Sequence, residues 1–175
     1  MIKASIYIFA ISIVSIILTR LVPHPPNFTS TIAVATYFPI LFGKKNILFV
    51  MAAFIISDLM IGFHSYIFWT WGSLLAIGLL SKYFENISNR ILTAASFSFL
   101  FFIITNFGIW VSGQYEYSFQ GIAICYFMAL PFFAFNLAST IFYSFIIEIM
   151  ISFNRIKTEI AKINPLYFEI LKEKN

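Results

Sequence analysis

Few residues of this chain could do chemistry, and they stand in mainly apolar segments. Asp58 lies in SDLMIGFH, the string that ends at His64, and His24 lies in LVPHPPNFTS. A carboxylate and two imidazoles could transfer protons or hold a metal. Their spacing matches no metal or acid–base motif, and the single Cys125 can form neither an intrachain disulfide nor a cysteine metal cluster. We therefore expect no cofactor.

A second group of polar side chains is suited to binding rather than to catalysis. Arg20 follows the first apolar run, Asn27 follows three prolines, and Asn106 and Trp110 stand in TNFGIW. Asn136 lies in the last apolar segment. Amides both donate and accept hydrogen bonds, and an indole ring can stack on a flat ligand. Together with Asp58, His24 and His64, these are the candidate substrate-binding residues.

The composition indicates what must position them. Hydrophobic residues make up 61% of the 175 residues, charged residues 10%, and 23 residues are Phe. A soluble domain carries about 25% charged residues, so this surface must face lipid. The sequence predicts an all-α, polytopic membrane protein. Its net charge of +4 reports membrane topology and not nucleic-acid binding.

Apolar runs long enough to approach the roughly 30 Å of a bilayer core predict six transmembrane helices. The N-terminal run has no small-residue cleavage site and is expected to be an uncleaved span. Pro39 is expected to interrupt the second span. Pro131 is expected to begin the last one, because proline suits the first turn of a helix, which leaves Ser118–Leu130 as a separate piece on or in the membrane. The predicted spans are Ala4–Val22, Thr29–Phe42, Ile47–Ile61, Tyr66–Ser81, Ile91–Ser112 and Pro131–Ser152.

The positive-inside rule orients these spans. With both termini in the cytoplasm, every Lys and Arg except Arg20 falls on the inner side. The chain then divides into a six-span membrane domain, 1–153, and a cytoplasmic tail, 154–175. Ile156, Ile160 and Ile163 recur at helical spacing in the tail, which predicts an amphipathic helix lying on the membrane surface.

This orientation brings the candidate binding residues to the outer side of the bundle. The PHPPN run should form a stiff strap there, because each proline fixes its own φ and restricts the preceding residue. The expected result is a cup that opens outward and is sealed inward. Simpler roles remain open: a salt bridge of Asp58 with Arg20 or a helix cap, interhelical hydrogen bonds for Asn106 and Asn136, loop hydrogen bonds for the histidines, and an aromatic belt for Trp110.

The strings PHPPNFTS, SDLMIGFH, TNFGIW and CYFMALPFFAFN, in this order over residues 20–143, resemble an uncharacterised bacterial membrane family with the motifs PHPPNFTP and TNFGVW. In size and in its short second helix before a basic loop, the chain more distantly resembles the S components of energy-coupling-factor (ECF) transporters. That resemblance implies an S-component-like bundle in the bacterial cytoplasmic (inner) membrane. It also implies an outward cup for a vitamin or similar micronutrient, and a transmembrane coupling protein and ATPase subunits as partners.

The function expected from these observations is a substrate-binding membrane subunit of a small-molecule importer, and not an enzyme. The chain has no phosphate-binding loop of the Gly-Lys-Ser/Thr type, so its energy must come from a partner or an ion gradient. Two alternatives stay open. One is an intramembrane enzyme that uses Asp58, His24 and His64, and the other is a structural or assembly subunit.

Overall fold

A computed structural model describes residues 2–84 and 89–164, without the side chains of residues 2–9, 12, 13, 154, 155 and 159. All regular structure in these two ranges is helical. Short 3₁₀ turns, Lys44–Asn46 and Lys82–Phe84, follow the second and fourth helices. The α-helices are α1 (Ile2–Leu21), α2 (Thr31–Phe42), α3 (Ile47–Ile61), α4 (Ile67–Ser81), α5 (Arg90–Val111), α6 (Phe119–Ser152) and α7 (Asn154–Ile163).

The all-α fold is confirmed, and the first five predicted helices are present with ends that shift by no more than two residues. Two helices, α5 and α6, are long and apolar enough to cross a membrane. Large apolar side chains stand exposed on the bundle, among them Phe119 at 89% and Phe68 at 80%. The number of spans and the cytoplasmic position of the termini stay predictions.

The short helix α2 forms the centre of the bundle. All residues from Thr31 to Leu41 are buried, and α2 packs against α3, α4, α5 and α6. Small residues such as Ala33 and Ala35, both fully buried, allow the neighbouring helices to approach closely. A helix of this length spans only about 18 Å, so it positions its neighbours from within and leaves space beyond its ends.

The expected interruption at Pro39 is wrong. Pro39 lies inside α2, which continues to Phe42. The helix stops at Gly43, whose φ of 96° is accessible to glycine, and the Gly43 N–H donates to the Pro39 carbonyl at 3.1 Å. A proline this near the C-terminal end disturbs one carbonyl, that of Ala35, and the tight packing around α2 tolerates the loss.

The expected break at Pro131 is also wrong, because α6 runs without interruption for 34 residues. Its start is fixed by Ser118, whose Oγ accepts a hydrogen bond from the Gly121 N–H at 3.0 Å. Proline removes one hydrogen bond from the helix, the one to the Phe127 carbonyl. Ending the helix there would free several backbone groups in an apolar setting, which costs more than one lost bond. Ser118–Leu130 is therefore no separate piece.

The helix predicted in the tail is present as α7, and its position on the membrane surface stays a prediction. The described part of the predicted tail folds back onto the bundle, where Ile160 is only 3% exposed and joins a core cluster with Tyr37, Ile40 and Ile151. The Asn164 amide lies 3.4 Å from the carbonyls of Ile40 and Leu41, near the end of α2. Residues 165–175 of the predicted tail lie outside the described residues.

A tight contact between α4 and α5 explains the glycine in TNFGIW. A Cβ atom on Gly108 would lie 2.2 Å from the Trp69 ring, so only glycine fits there. Trp69 also packs edge-on against Phe107, with ring centroids 5.7 Å apart. This contact fixes the spacing of the two helices next to Asn106.

We expect Gly108→Ala to lower the free energy of unfolding by about 1–3 kcal/mol, because the added methyl must displace an indole ring. The matched control is Gly72→Ala in α4, where a Cβ meets nothing within 4 Å. Thermal unfolding in detergent checks both variants. Equal midpoints for the two would contradict the close contact, and adding Trp69→Phe should restore part of the loss.

Candidate functional site

A cavity of about 470 Å³ lies at one end of the bundle. Its walls come from the C-terminal parts of α1, α3 and α5 and from the N-terminal parts of α2, α4 and α6. Pockets of 300–1,000 Å³ hold small molecules. The strap between α1 and α2 and the loop before α4 add Asn27 and His64 to its rim.

The structure brings together most of the candidate residues proposed from the sequence. Those that line the cavity are Arg20, Asn27, His64, Asn106 and Asn136. Asp58 is bound to Arg20 directly behind the wall. His24 and Trp110 lie elsewhere.

Arg20 and Asp58 form a buried ion pair between α1 and α3. The Arg20 Nη2 atom lies 2.6 Å from Asp58 Oδ1, with side chains 16% and 1% exposed. Asp58 Oδ2 accepts a hydrogen bond from Trp71 Nε1 at 2.6 Å, which ties α4 into the same cluster. Of the simpler roles considered for Asp58, the salt bridge is therefore present.

Further contacts occupy the rest of the Arg20 guanidinium. Its Nη1 atom donates to Ser57 Oγ and to the Phe54 carbonyl, and its Cζ atom lies 4.2 Å from the centre of the Phe54 ring. Arginine is suited to this use because its planar group can donate, pair and stack simultaneously. The cation is thus held in one orientation with its charge balanced.

Asn106 and Asn136 face the cavity from α5 and α6. Asn106 is 8% exposed, and its Nδ2 donates to the Phe102 carbonyl at 2.8 Å. Asn136 Oδ1 accepts from the Ser98 hydroxyl at 2.5 Å. The bond of Asn136 links α6 to α5 and uses the Asn136 Oδ1 atom. The bond of Asn106 stays within α5. Interhelical hydrogen bonding therefore explains the Asn136 oxygen but not the Asn136 nitrogen or the Asn106 amide.

The strap is held against α6, although not through His24. Asn27 adopts a left-handed φ of 62°, which Asn tolerates better than most residues. The Ser139 hydroxyl lies 3.4 Å from the Asn27 carbonyl, and Phe28 packs near Phe142 with ring centroids 6.0 Å apart. The exposed His24 ring instead turns back, with Nδ1 2.5 Å from the Val22 carbonyl.

Trp110 forms no wall of the cavity. Its Nε1 donates to the Glu116 carbonyl at 3.0 Å, and its ring packs edge-on against Tyr117 with centroids 5.8 Å apart. The residue fastens the α5–α6 loop to the end of α5. That loop joins α5 to α6 at the end of the bundle where the cavity lies.

Sequence reasoning missed the threonines and phenylalanines of the wall. Thr70 and Thr105 present hydroxyls from α4 and α5. In an apolar helix, Thr and Phe are also ordinary packing residues, so their type carries no signal of a site. Thr105 lies one residue before Asn106, and Phe132 and Phe133 lie about one turn before Asn136. This closeness to the candidate amides could have indicated them. The other wall residues of these two types are Thr29, Thr31, Phe54, Phe101, Phe102, Phe132 and Phe133.

A second polar cluster lies at the opposite end of the bundle. The Arg90 guanidinium binds Glu148 with both arms, at 2.8 Å from Nε to Oε1 and 2.7 Å from Nη2 to Oε2. The Tyr37 hydroxyl donates to the same Oε1 at 2.9 Å. This cluster joins α2, α5 and α6 below the cavity, and α7 packs beside it.

The cavity geometry favours binding over acid–base chemistry. In the described ranges, no three His, Cys, Asp or Glu side chains come close enough to share a metal ion. The described lining contains no carboxylate, and Asp58, which pairs with the lining residue Arg20, is already bound by Arg20 and Trp71. Amide, hydroxyl and aromatic groups remain, and these orient ligands in pockets.

Comparison with known protein families shows that residues 1–161 match a family of unknown function, DUF6580. Comparison with curated proteins and with solved structures gave no match.

Removing one partner of the buried ion pair should cost more than removing both. We expect Asp58→Asn to lower the free energy of unfolding by about 3–5 kcal/mol, because Arg20 stays buried without a counter-charge. The double variant Arg20→Met/Asp58→Asn should lose less unfolding free energy than Asp58→Asn alone, because no unpaired charge is left. In both variants the Asn side chain can still accept a hydrogen bond from Trp71. Denaturant unfolding in lipid–detergent micelles measures both, and simple additivity with Arg20→Met would contradict this account.

Proposed function

The chain belongs to the family DUF6580, and we propose that it is the substrate-binding membrane subunit of a small-molecule importer. The observation that carries the proposal is the cavity of about 470 Å³ at one end of the bundle, lined by amides, hydroxyls and aromatic rings. In this proposal the protein is a multi-pass protein of the bacterial inner membrane. The proposal includes a bundle like that of ECF S components, which the size of the chain and its short second helix before a basic loop support.

Two observations support a membrane setting. Helices α5 and α6 have the length and apolar character of spans, and large apolar side chains such as Phe127 (70%) and Phe145 (58%) are exposed along α6. Exposed apolar surface of this extent is unfavourable in water. In lipid it is the expected surface of a bundle.

The charges support an outward-facing cavity. Lys44 and Lys45 follow α2, and Arg90 begins α5, all at the end of the bundle opposite the cavity. Under the positive-inside rule that end faces the cytoplasm. The cavity then opens away from the cytoplasm, where an importer collects its substrate.

The partners are part of the proposal. The chain carries no phosphate-binding loop, so it cannot supply the energy of uptake by hydrolysing ATP. A transmembrane coupling protein with ATPase subunits would supply it. The closed end, where Tyr37, Arg90 and Glu148 form one cluster, is the side that such partners would contact.

The intramembrane enzyme receives less support from the same geometry. It needs His24, His64 and Asp58 near one substrate, whereas His24 turns back onto Val22 and Asp58 is bound on both oxygens. A purely structural subunit does not explain why amides and hydroxyls surround an open volume in an apolar bundle.

Filling the cavity tests the proposal. Ala129 lines the wall and is 9% exposed, so Ala129→Phe should occupy the volume that a ligand needs. Ala138→Phe makes the same change on an exposed face of α6 and serves as the control. We expect wild type and Ala138→Phe, purified from their own host in native lipid, to retain a small molecule that mass spectrometry detects, and Ala129→Phe to lose it at equal abundance.

The same preparations report on partners, since native mass spectrometry keeps subunits bound. The proposal predicts co-purifying membrane and ATPase subunits with all three proteins. It is wrong if wild type carries neither a small molecule nor a partner, or if Ala129→Phe retains the same molecule as the control.

A further inference from the structure

The charges around the cavity exclude a charged ligand. Arg20 and His64 are the titratable residues of its described lining. The Arg20 charge is balanced by Asp58 at 2.6 Å, and His64 is exposed at the rim, where water screens it. An ion drawn into this wall would lose its hydration without gaining a counter-charge, which is strongly unfavourable.

The two amides of the wall leave complementary atoms open. Asn106 must donate through Nδ2, since its partner is the Phe102 carbonyl, so its Oδ1 is the atom left to accept. Asn136 uses Oδ1 for the Ser98 hydroxyl, so its Nδ2 is left to donate. Neither open atom has a partner among the described residues. A ligand that satisfies both must carry one donor and one acceptor.

The hydroxyls of Thr105 in α5 and Thr70 in α4 add acceptors to the lining. Thr105 donates to the Phe101 carbonyl at 2.8 Å, and Thr70 donates to the Ile67 carbonyl at 2.9 Å. With its hydrogen used inside the helix, each hydroxyl can only accept from a ligand. A carboxylate, which has no donor, would meet lone pairs along this wall.

Aromatic rings supply the remaining surface. Phe102 and Phe133 lie with ring centroids 4.7 Å apart at 35°, and Phe101 and Phe132 lie beside them in the wall. Ring faces and edges of this kind pack well on a flat aromatic ligand.

We propose that the cavity binds an uncharged aromatic compound with an amide-like edge, whose N–H faces Asn106 Oδ1 and whose carbonyl faces Asn136 Nδ2. Carboxamides, lactams and the imide edges of heterocycles share this chemistry. The inference rests on the proposed function of the site and goes beyond it by specifying the charge and the hydrogen-bond pattern of the ligand.

Three probes of equal shape test the ligand class: 2-naphthamide, the anion 2-naphthoate and the cation 2-naphthamidinium. Each is titrated against the full-length protein in detergent, and the rise in unfolding temperature gives an apparent Kd. We expect the Kd of 2-naphthamide to be about tenfold or more below those of both ions, the factor expected when a buried charge has no partner.

Asn136→Asp should change this preference. The carboxylate can still accept from Ser98 but replaces the open donor with a negative charge, so 2-naphthamidinium should now bind about tenfold more tightly than 2-naphthamide. Asn89→Asp is the control: Asn89 Oδ1 likewise accepts a hydrogen bond, from the Leu92 N–H at 3.0 Å, but lies at the far end of α5. This variant should keep the wild-type order of the three Kd values, with 2-naphthamide bound most tightly.

Each result separates the two proposals. If either ion binds wild type as tightly as 2-naphthamide, or if Asn136→Asp keeps the wild-type order, the ligand class is wrong while the cavity remains a binding site. If no probe binds, the inference is overturned. The importer proposal then survives only if wild type retains a native small molecule that Ala129→Phe loses.

Discussion

The ion pair between Arg20 and Asp58 is the interaction on which the cavity depends. A carboxylate that is 1% exposed is tolerated at such depth only with a partner. The pair fixes the end of α1 to α3, and Trp71 extends it to α4 at 2.6 Å. The pair also neutralises Arg20, the arginine of the described lining. In the proposed importer, amides and hydroxyls then decide what binds, so the same contact is structural and sets the specificity.

The length of α2 explains why there is space to line. Eleven of its twelve residues are buried, and the helices around it are longer. The central helix α2 therefore ends before the surrounding helices do. At one end the space is left as the cavity. At the other, Tyr37, Arg90 and Glu148 join across three helices, and α7 covers the end of α2 through Ile160 and Asn164.

Much of this was predictable because the apolar runs and the polar connections between them are local signals. The all-helical class followed from composition. Arg20, Asn106 and Asn136 were identifiable because a polar side chain in an apolar helix is energetically costly unless it has a partner or a function. The course of α6 was not: proline suits a helix start and disfavours a helix interior, so the sequence favoured a break at Pro131, whereas in the fold α6 packs along α5 as one continuous helix. The packing of α7 on the bundle was hidden for a similar reason, since one apolar face fits lipid and protein equally.

The central claim is that the cavity opens on the side opposite the basic loops, and accessibility of single cysteines measures it directly. In a Cys125→Ser background, Thr70→Cys lies in the cavity wall and Lys44→Cys lies in the exposed turn after α2. A membrane-impermeant thiol reagent applied to intact spheroplasts should modify the first, and the second only after permeabilisation. Modification of both from outside, or of Lys44→Cys alone, would contradict the account.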